Sequence, residues 1–136
     1  MKLQTSPLHP IFAAEVTGVD LSAPLSAETV QGIHGGMSQH AVLLFRNQVL
    51  TERDQMRFGE ALGTVEAQRA SVGNGKTRLQ DQRMNDISNL GPDGKLLPEL
   101  DARRLFSLGN RLWHTDSSFK AVPSKYSLLY GKQVPS

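Results

Sequence analysis

Residues 41–63, AVLLFRNQVLTERDQMRFGEALG, constrain the fold more than any other stretch. Ala41–Gln48 is a short, nearly continuous apolar run rich in strand formers, and it reads as a buried strand. Thr51 and Asp54 then form the T-x-x-D pattern of a capping box. The helix that this box opens is expected to run to about Leu62, with Phe58, Ala61 and Leu62 on one face. Gly63 suits its C-terminal end. The result is a strand–helix unit, the kind of element found in a mainly β domain with flanking helices.

The preceding residues extend this reading. IFAAEVTGVDLS (11–22) reads as an opening strand with a turn at Gly18. Ser26 is a suitable N-cap for a following helix. Val30, Ile33, Met37 and Ala41 fall at helical spacing. Gly32, Gly35 and Gly36 each weaken that helix by up to ~1 kcal/mol relative to alanine, so packing has to hold it. From about Gly63 to Leu108 the pattern fades. NDISNL (85–90) is expected as a short strand and GPDG (91–94) as a turn. So long an irregular stretch in a compact domain is usually a functional lid or disordered. RLWHTDSSF (111–119) and KYSLLYGKQV (125–134) read as two further strands. The strands counted are too few to close a barrel or a sandwich.

Composition narrows the chemistry. The 136 residues include no cysteine, so zinc–thiolate sites, iron–sulfur clusters, disulfides and cysteine nucleophiles are excluded. A transition metal held here must be held by nitrogen and oxygen. The net charge of +2 is scattered, with no basic stripe and few aromatics, which argues against nucleic-acid binding. No apolar run approaches the ~20 residues of a membrane span. The N-terminus lacks the apolar core of a secretory signal, so a cytoplasmic location is expected. Arg69, Lys76, Arg78 and Arg83 give the middle of the chain a mild positive bias suited to a small anionic substrate; solvated loop positions are the competing reading. GNGKT (73–77) imitates part of a phosphate-binding loop, but Ala70 stands where that motif needs its first glycine.

The remaining feature is LWHTDSSF (112–119). On a strand, residues i and i+2 share a face, so His114 and Asp116 are placed to converge on one ion. Two histidines and one carboxylate on a face, with open positions opposite, is the pattern of non-heme iron(II) oxygenases. Spacing alone is a weak signal, and a hydrogen-bonded His–Asp pair at a strand end fits it too. Trp113 falls on the opposite face, where packing is its expected role. His40 suits the C-terminal end of its helix, and neither it nor His9 or His34 offers a clear third ligand.

Trp113-His114-Thr115-Asp116-Ser117-Ser118-Phe119, with Asn110 before it, resembles the iron-binding motif of the taurine/2,4-dichlorophenoxyacetate dioxygenase family. Members of that family are 2-oxoglutarate-dependent, non-heme iron(II) oxygenases. HPIFAAEVTGVDL (9–21) is similar to the family's opening strand and turn, and residues 41–63 to its strand–helix unit. NDISNLGPDGK (85–95) and PSKYSLL (123–129) resemble the branch that acts on phenoxyalkanoates. The taurine branch has a histidine and a tyrosine after the second helix, and this chain has neither there.

The resemblance implies that residues 1–136 are the N-terminal portion of one such domain. The fold expected for the parent is a double-stranded β-helix, or jelly roll. His114 and Asp116 are implied as ligands to Fe(II), with 2-oxoglutarate and dioxygen as co-substrates. A second histidine and a 2-oxoglutarate-binding arginine are expected further along, so turnover is not expected from these residues alone. Asn110 corresponds to an asparagine at the substrate pocket, and a strand-end hydrogen bond is its alternative. The implied reaction hydroxylates the carbon beside an ether oxygen of 2,4-dichlorophenoxyacetate or a related phenoxyalkanoate. The product hemiacetal falls apart to a phenol and an oxo-acid. The same chemistry on a sulfonate or sulfate ester, or a non-catalytic remnant, are the alternatives. An isolated portion is expected to be poorly stable, with unpaired sheet edges, and oligomerisation of the parent is left open.

Overall fold

The computed structural model describes residues 3–66, 78–81 and 83–134. Two compact units result, Met1–Val65 and Glu66–Ser136.

In the first unit, β1 (Gln4–Pro7), β2 (Ala14–Thr17) and β3 (Leu43–Phe45) form one sheet in the order β1-β2-β3. β1 runs antiparallel to β2, with Gln4 opposite Thr17. β2 and β3 are parallel, with Ala14 opposite Leu43 and Val16 opposite Phe45. A parallel pair needs a crossover, which α1 (Ala27–His40) provides between them. After β3 the chain enters α2 (Glu52–Leu62). The opening strand is shorter than expected, because Ala13 (φ 65°) and Gly18 (φ 75°) take left-handed conformations that end it on both sides. β1 was not foreseen. Its four residues are all exposed and polar or proline, so it carries no alternating pattern, and Pro7 is acceptable because this is an edge strand.

Local chemistry fixes both helix starts. The Ser26 side chain accepts from the Thr29 amide at 3.1 Å. Asp54 donates its amide to Thr51 Oγ1 at 3.2 Å, and Thr51 returns its own amide to Asp54 Oδ2 at 3.0 Å, which is the full capping box. The Thr51 hydroxyl also donates to Asp54 Oδ2 at 2.6 Å, and this bond together with that from the Thr51 amide holds the Asp54 carboxyl below the usual carboxylate range.

Leu21, Ile33 and Phe58 form the buried centre, with Leu3, Val19, Met37, Leu43, Phe45 and Leu62 packed around it. The Phe45 and Phe58 rings meet edge to face, 5.9 Å apart. Ala61, expected on the apolar face of α2, is exposed, and Met56 is buried instead. Gln48 staples the unit from its side chain. Its Oε1 accepts from the Leu21 amide at 2.9 Å, while its Nε2 donates to the Val19 and Arg46 carbonyls, each at 3.1 Å.

The glycines of α1 have distinct roles. A Cβ on Gly32 would stand 3.0 Å from Leu3 Cβ, and one on Gly36 would stand 3.2 Å from Leu43 Cδ1. These two positions, one turn apart, let the helix lie close on the sheet. Gly35 faces open space. Gly35→Ala is therefore expected to raise stability by about 0.5–1 kcal/mol through helix propensity. Gly32→Ala should lower it, because the crowded contact lies near the backbone of Leu3. Urea midpoints of the two variants check this pair, and a gain at both positions would rule out close packing at Gly32.

In the second unit, α3 (Ala102–Ser107) leads into a 3-10 turn, Leu108–Arg111. Asp101 sits at the start of α3 and accepts from the Arg103 amide at 2.9 Å. The 91–94 turn forms as expected. Gly94 donates to the Gly91 carbonyl at 2.9 Å with φ 76°, and Leu90 bridges Leu96.

Three expected strands are absent among the described residues of this unit: 85–90, 111–119 and 125–134 carry no ladder. In the second of these, local bonds compete with sheet pairing. Ser117 is left-handed at φ 57°, and the Lys120 amide turns back to its carbonyl at 3.0 Å. Without a sheet there is no opposite face to cover, and Trp113 is fully exposed rather than packed. The sheet described above is the only one among the described residues, and it is flanked by helices.

Candidate metal centre

His114 and Asp116 lie just after the 3-10 turn, in an irregular stretch. They come together although no strand holds them. His114 Nε2 stands 3.4 Å from Asp116 Oδ1. The other ring nitrogen, Nδ1, is 2.7 Å from the Leu112 carbonyl oxygen. A carbonyl only accepts, so Nδ1 carries a proton and donates. In the neutral ring, Nε2 then presents a lone pair towards a carboxylate oxygen. A proton or a cation between the two atoms satisfies both. Two ligands at ~2.1 Å from one metal and at right angles lie about 3.0 Å apart, close to the separation seen. A histidine whose second nitrogen is tied to a backbone carbonyl is the usual form of a metal-bound imidazole. The donor pair therefore fits a first-row divalent metal.

The surroundings are polar and cross-linked. Thr115 Oγ1 donates to Ser118 Oγ at 2.8 Å. Ser124 Oγ donates to Ser117 Oγ at 3.0 Å, and Ser127 Oγ donates to Asp116 Oδ2 at 3.3 Å. Lys120 pairs with Glu66, far away in sequence, and its ammonium is the main reason that the Glu66 carboxyl lies below the usual range. Among the described residues no group of three or more His, Asp or Glu is placed to hold a metal. His9 accepts from the Ile11 amide at 3.2 Å and meets the Phe12 ring at a tilt, with centroids 4.7 Å apart, while His34 and His40 lie within α1.

The remaining sequence candidates divide. Arg78 grips Asp86 with two bonds, at 2.7 and 2.9 Å, and reaches Ser88 Oγ at 3.0 Å. Arg83 meets Asp81 at 2.7 Å. Both guanidinium groups thus serve internal carboxylates. Arg69 and Lys76, and with them GNGKT (73–77), lie outside the described residues, as does the side chain of Asn110, whose backbone belongs to the 3-10 turn. The residues that sequence reasoning missed are Ser124 and Ser127, although the stretch PSKYSLL contains both.

The Arg78–Asp86 pair predicts an acid response. Arg78 holds the Asp86 carboxyl below its ordinary value of 3.8. A carboxyl with a lowered folded value contributes stability above its unfolded value and loses it as pH falls through the folded one. Denaturation midpoints followed from about pH 5 to about pH 2 should fall less in Arg78→Ala than in the parent. Equal acid losses would mean that the pair does not contribute.

Comparison with known proteins supplies the context. A family model described as "Taurine catabolism dioxygenase TauD, TfdA family" matches residues 4–136. An alpha-ketoglutarate-dependent 2,4-dichlorophenoxyacetate dioxygenase of Cupriavidus pinatubonensis is 37% identical over 99% of this chain and 47% of its own length. An (S)-phenoxypropionate/alpha-ketoglutarate-dioxygenase of Sphingobium herbicidovorans is 32% identical over 96% of the chain and 41% of its own length. A solved structure of AAD-2 in complex with Mn(II) and N-oxalylglycine is 38% identical, with a TM-score of 0.85 over 92% of this chain and 44% of that one. The chain spans about half the length of the curated relatives it matches.

Proposed function

Because the chain belongs to the TauD, TfdA dioxygenase family, we propose that it contributes two metal ligands, His114 and Asp116, to a 2-oxoglutarate-dependent dioxygenase acting on a phenoxyalkanoate. The observation that carries this reading is the convergence of His114 Nε2 and Asp116 Oδ1 at 3.4 Å, with Nδ1 anchored on the Leu112 carbonyl. The jelly roll, a cytoplasmic location and Fe(II) as the resident metal belong to the same proposal. N-oxalylglycine, bound in the similar AAD-2 structure, replaces one methylene of 2-oxoglutarate with NH, which supports 2-oxoglutarate as the co-substrate.

When bound, Fe(II) would supply the coordination positions at which 2-oxoglutarate and dioxygen meet, dioxygen being the oxidant and 2-oxoglutarate the source of two of the electrons. The chain's own residues set the geometry. The Leu112 carbonyl fixes the His114 ring and its tautomer. Asp116 brings one negative charge that offsets the charge of the metal. Asn110, Arg69, Lys76, Arg78 and Arg83 are the candidates from this chain for the substrate's polar and carboxylate groups. Of these, Arg78 and Arg83 already hold Asp86 and Asp81.

Succinate release tests the proposal. The protein that carries this sequence is supplied with Fe(II), 2-oxoglutarate and either 2,4-dichlorophenoxyacetate or an alkyl sulfate. Faster release with the phenoxyacetate is expected. Release with the sulfate ester alone would move the substrate to the class of the Pseudomonas putida sulfate ester dioxygenase, which is 29% identical. No metal binding and no release would overturn the whole reading.

A further inference from the structure

We propose that Ser127 is a positioning residue for Asp116. It occupies one carboxylate oxygen so that the other alone is turned to the metal. The inference rests on the metal reading above and deepens it.

Asp116 has two oxygens in different surroundings. Oδ1 faces His114 Nε2 at 3.4 Å. Oδ2 accepts the Ser127 hydroxyl at 3.3 Å. The bond is longer than the usual O–H···O, yet it is not isolated. Three residues earlier, Ser124 Oγ donates to Ser117 Oγ at 3.0 Å. Both serine hydroxyls of segment 124–127 thus meet adjacent residues of the metal stretch, Ser117 and Asp116. The Lys120–Glu66 ion pair and the Lys120–Ser117 turn brace the same loop. The Asp116 side chain is well exposed, so it has few packing contacts to fix its torsions. A hydroxyl on Oδ2 supplies that restraint. With a metal held by His114 and Asp116, it would favour binding through Oδ1 over binding through both oxygens.

Metal ligands lose about 10–100-fold in affinity when such an outer partner is removed. The test titrates Mn(II) alone into the protein, with free Mn(II) followed by electron paramagnetic resonance and circular dichroism as a folding check. Ser127→Ala is expected to weaken Mn(II) binding ~10–100-fold and to change the line shape of the bound ion, with unchanged far-ultraviolet dichroism. Ser127→Thr keeps a hydroxyl and is expected to restore both. Parent-like affinity and line shape in Ser127→Ala, in a protein whose binding is lost in His114→Ala, would overturn the inference and leave the metal site standing. If the parent itself does not bind Mn(II) through His114, the metal reading falls and this inference falls with it. A loss in Ser127→Ala that Ser127→Thr does not repair would also overturn it, since the hydroxyl would not be the group responsible.

Discussion

Replacing His114 or Asp116 with alanine is expected to abolish metal binding while leaving the fold almost untouched. The two side chains are 47% and 65% exposed. If their contact were only a surface ion pair, its loss would cost at most about 1 kcal/mol and change nothing else. If they are metal ligands, each loss removes one of the few bonds that hold the ion. An outer partner alone is worth about 10–100-fold in affinity, so a direct ligand is worth more than ~100-fold. The same substitutions should bring 2-oxoglutarate turnover to background in the protein that carries this sequence. Asp116→Asn is the informative third variant. It keeps the shape and the Ser127 contact but removes the charge, so it should bind metal far more weakly than the parent. Metal affinity and melting temperature are measured side by side. Lost affinity at constant melting temperature supports the metal centre; unchanged affinity in both alanine variants would reduce His114–Asp116 to a local polar contact.

The contact between His114 and Asp116 was legible because its signal is local, two polar side chains two residues apart, whereas its reading as a metal pair came from the family resemblance and not from the spacing. Its geometry was less so. A strand was expected to aim both side chains, whereas a left-handed Ser117 and a turn closed by Lys120 do the shaping. Hydroxyl-rich sequence such as Asp116-Ser117-Ser118 favours local bonds over a ladder, and that preference was underweighted. The same error hid the exposure of Trp113, whose packing role assumed a sheet with two faces. Helix starts were read correctly at Ser26 and Thr51 because a cap needs only residues within one turn. α3 had a comparable sign in Asp101, which accepts from the Arg103 amide, but its six residues are too short for a periodic pattern.

Non-local features were the least legible. β1 is a strand only because β2 offers its edge, and nothing in Gln4–Pro7 announces that partner. The Gln48 staple joins atoms 27 and 29 residues apart. The glycines of α1 looked like defects in a helix. Gly32 and Gly36 are instead points of close approach to Leu3 and Leu43, a purpose visible only once the helix is packed.

The largest stability loss is expected at Ile33. It is the most completely buried large side chain among the described residues, at 2% exposure, and it forms the centre of the first unit with Leu21 and Phe58. Truncation to alanine removes apolar area from that centre and leaves a cavity that its surroundings fill only in part; such losses run to about 2–5 kcal/mol. Two features push this one upward. The helix that carries Ile33 holds three glycines and has weak intrinsic stability, so packing through Ile33 is what keeps it on the sheet. The neighbours that would have to move inward, Phe45 and Phe58, already hold each other edge to face, which limits collapse. Ile33→Val, which removes one methylene, should cost only about 0.5–1.5 kcal/mol. Urea unfolding of the two variants separates this account from one based on helix propensity. Alanine is the better helix former, so propensity alone predicts that Ile33→Ala is the more stable of the two. The cavity argument predicts the opposite order, with the alanine variant the weaker by a wide margin.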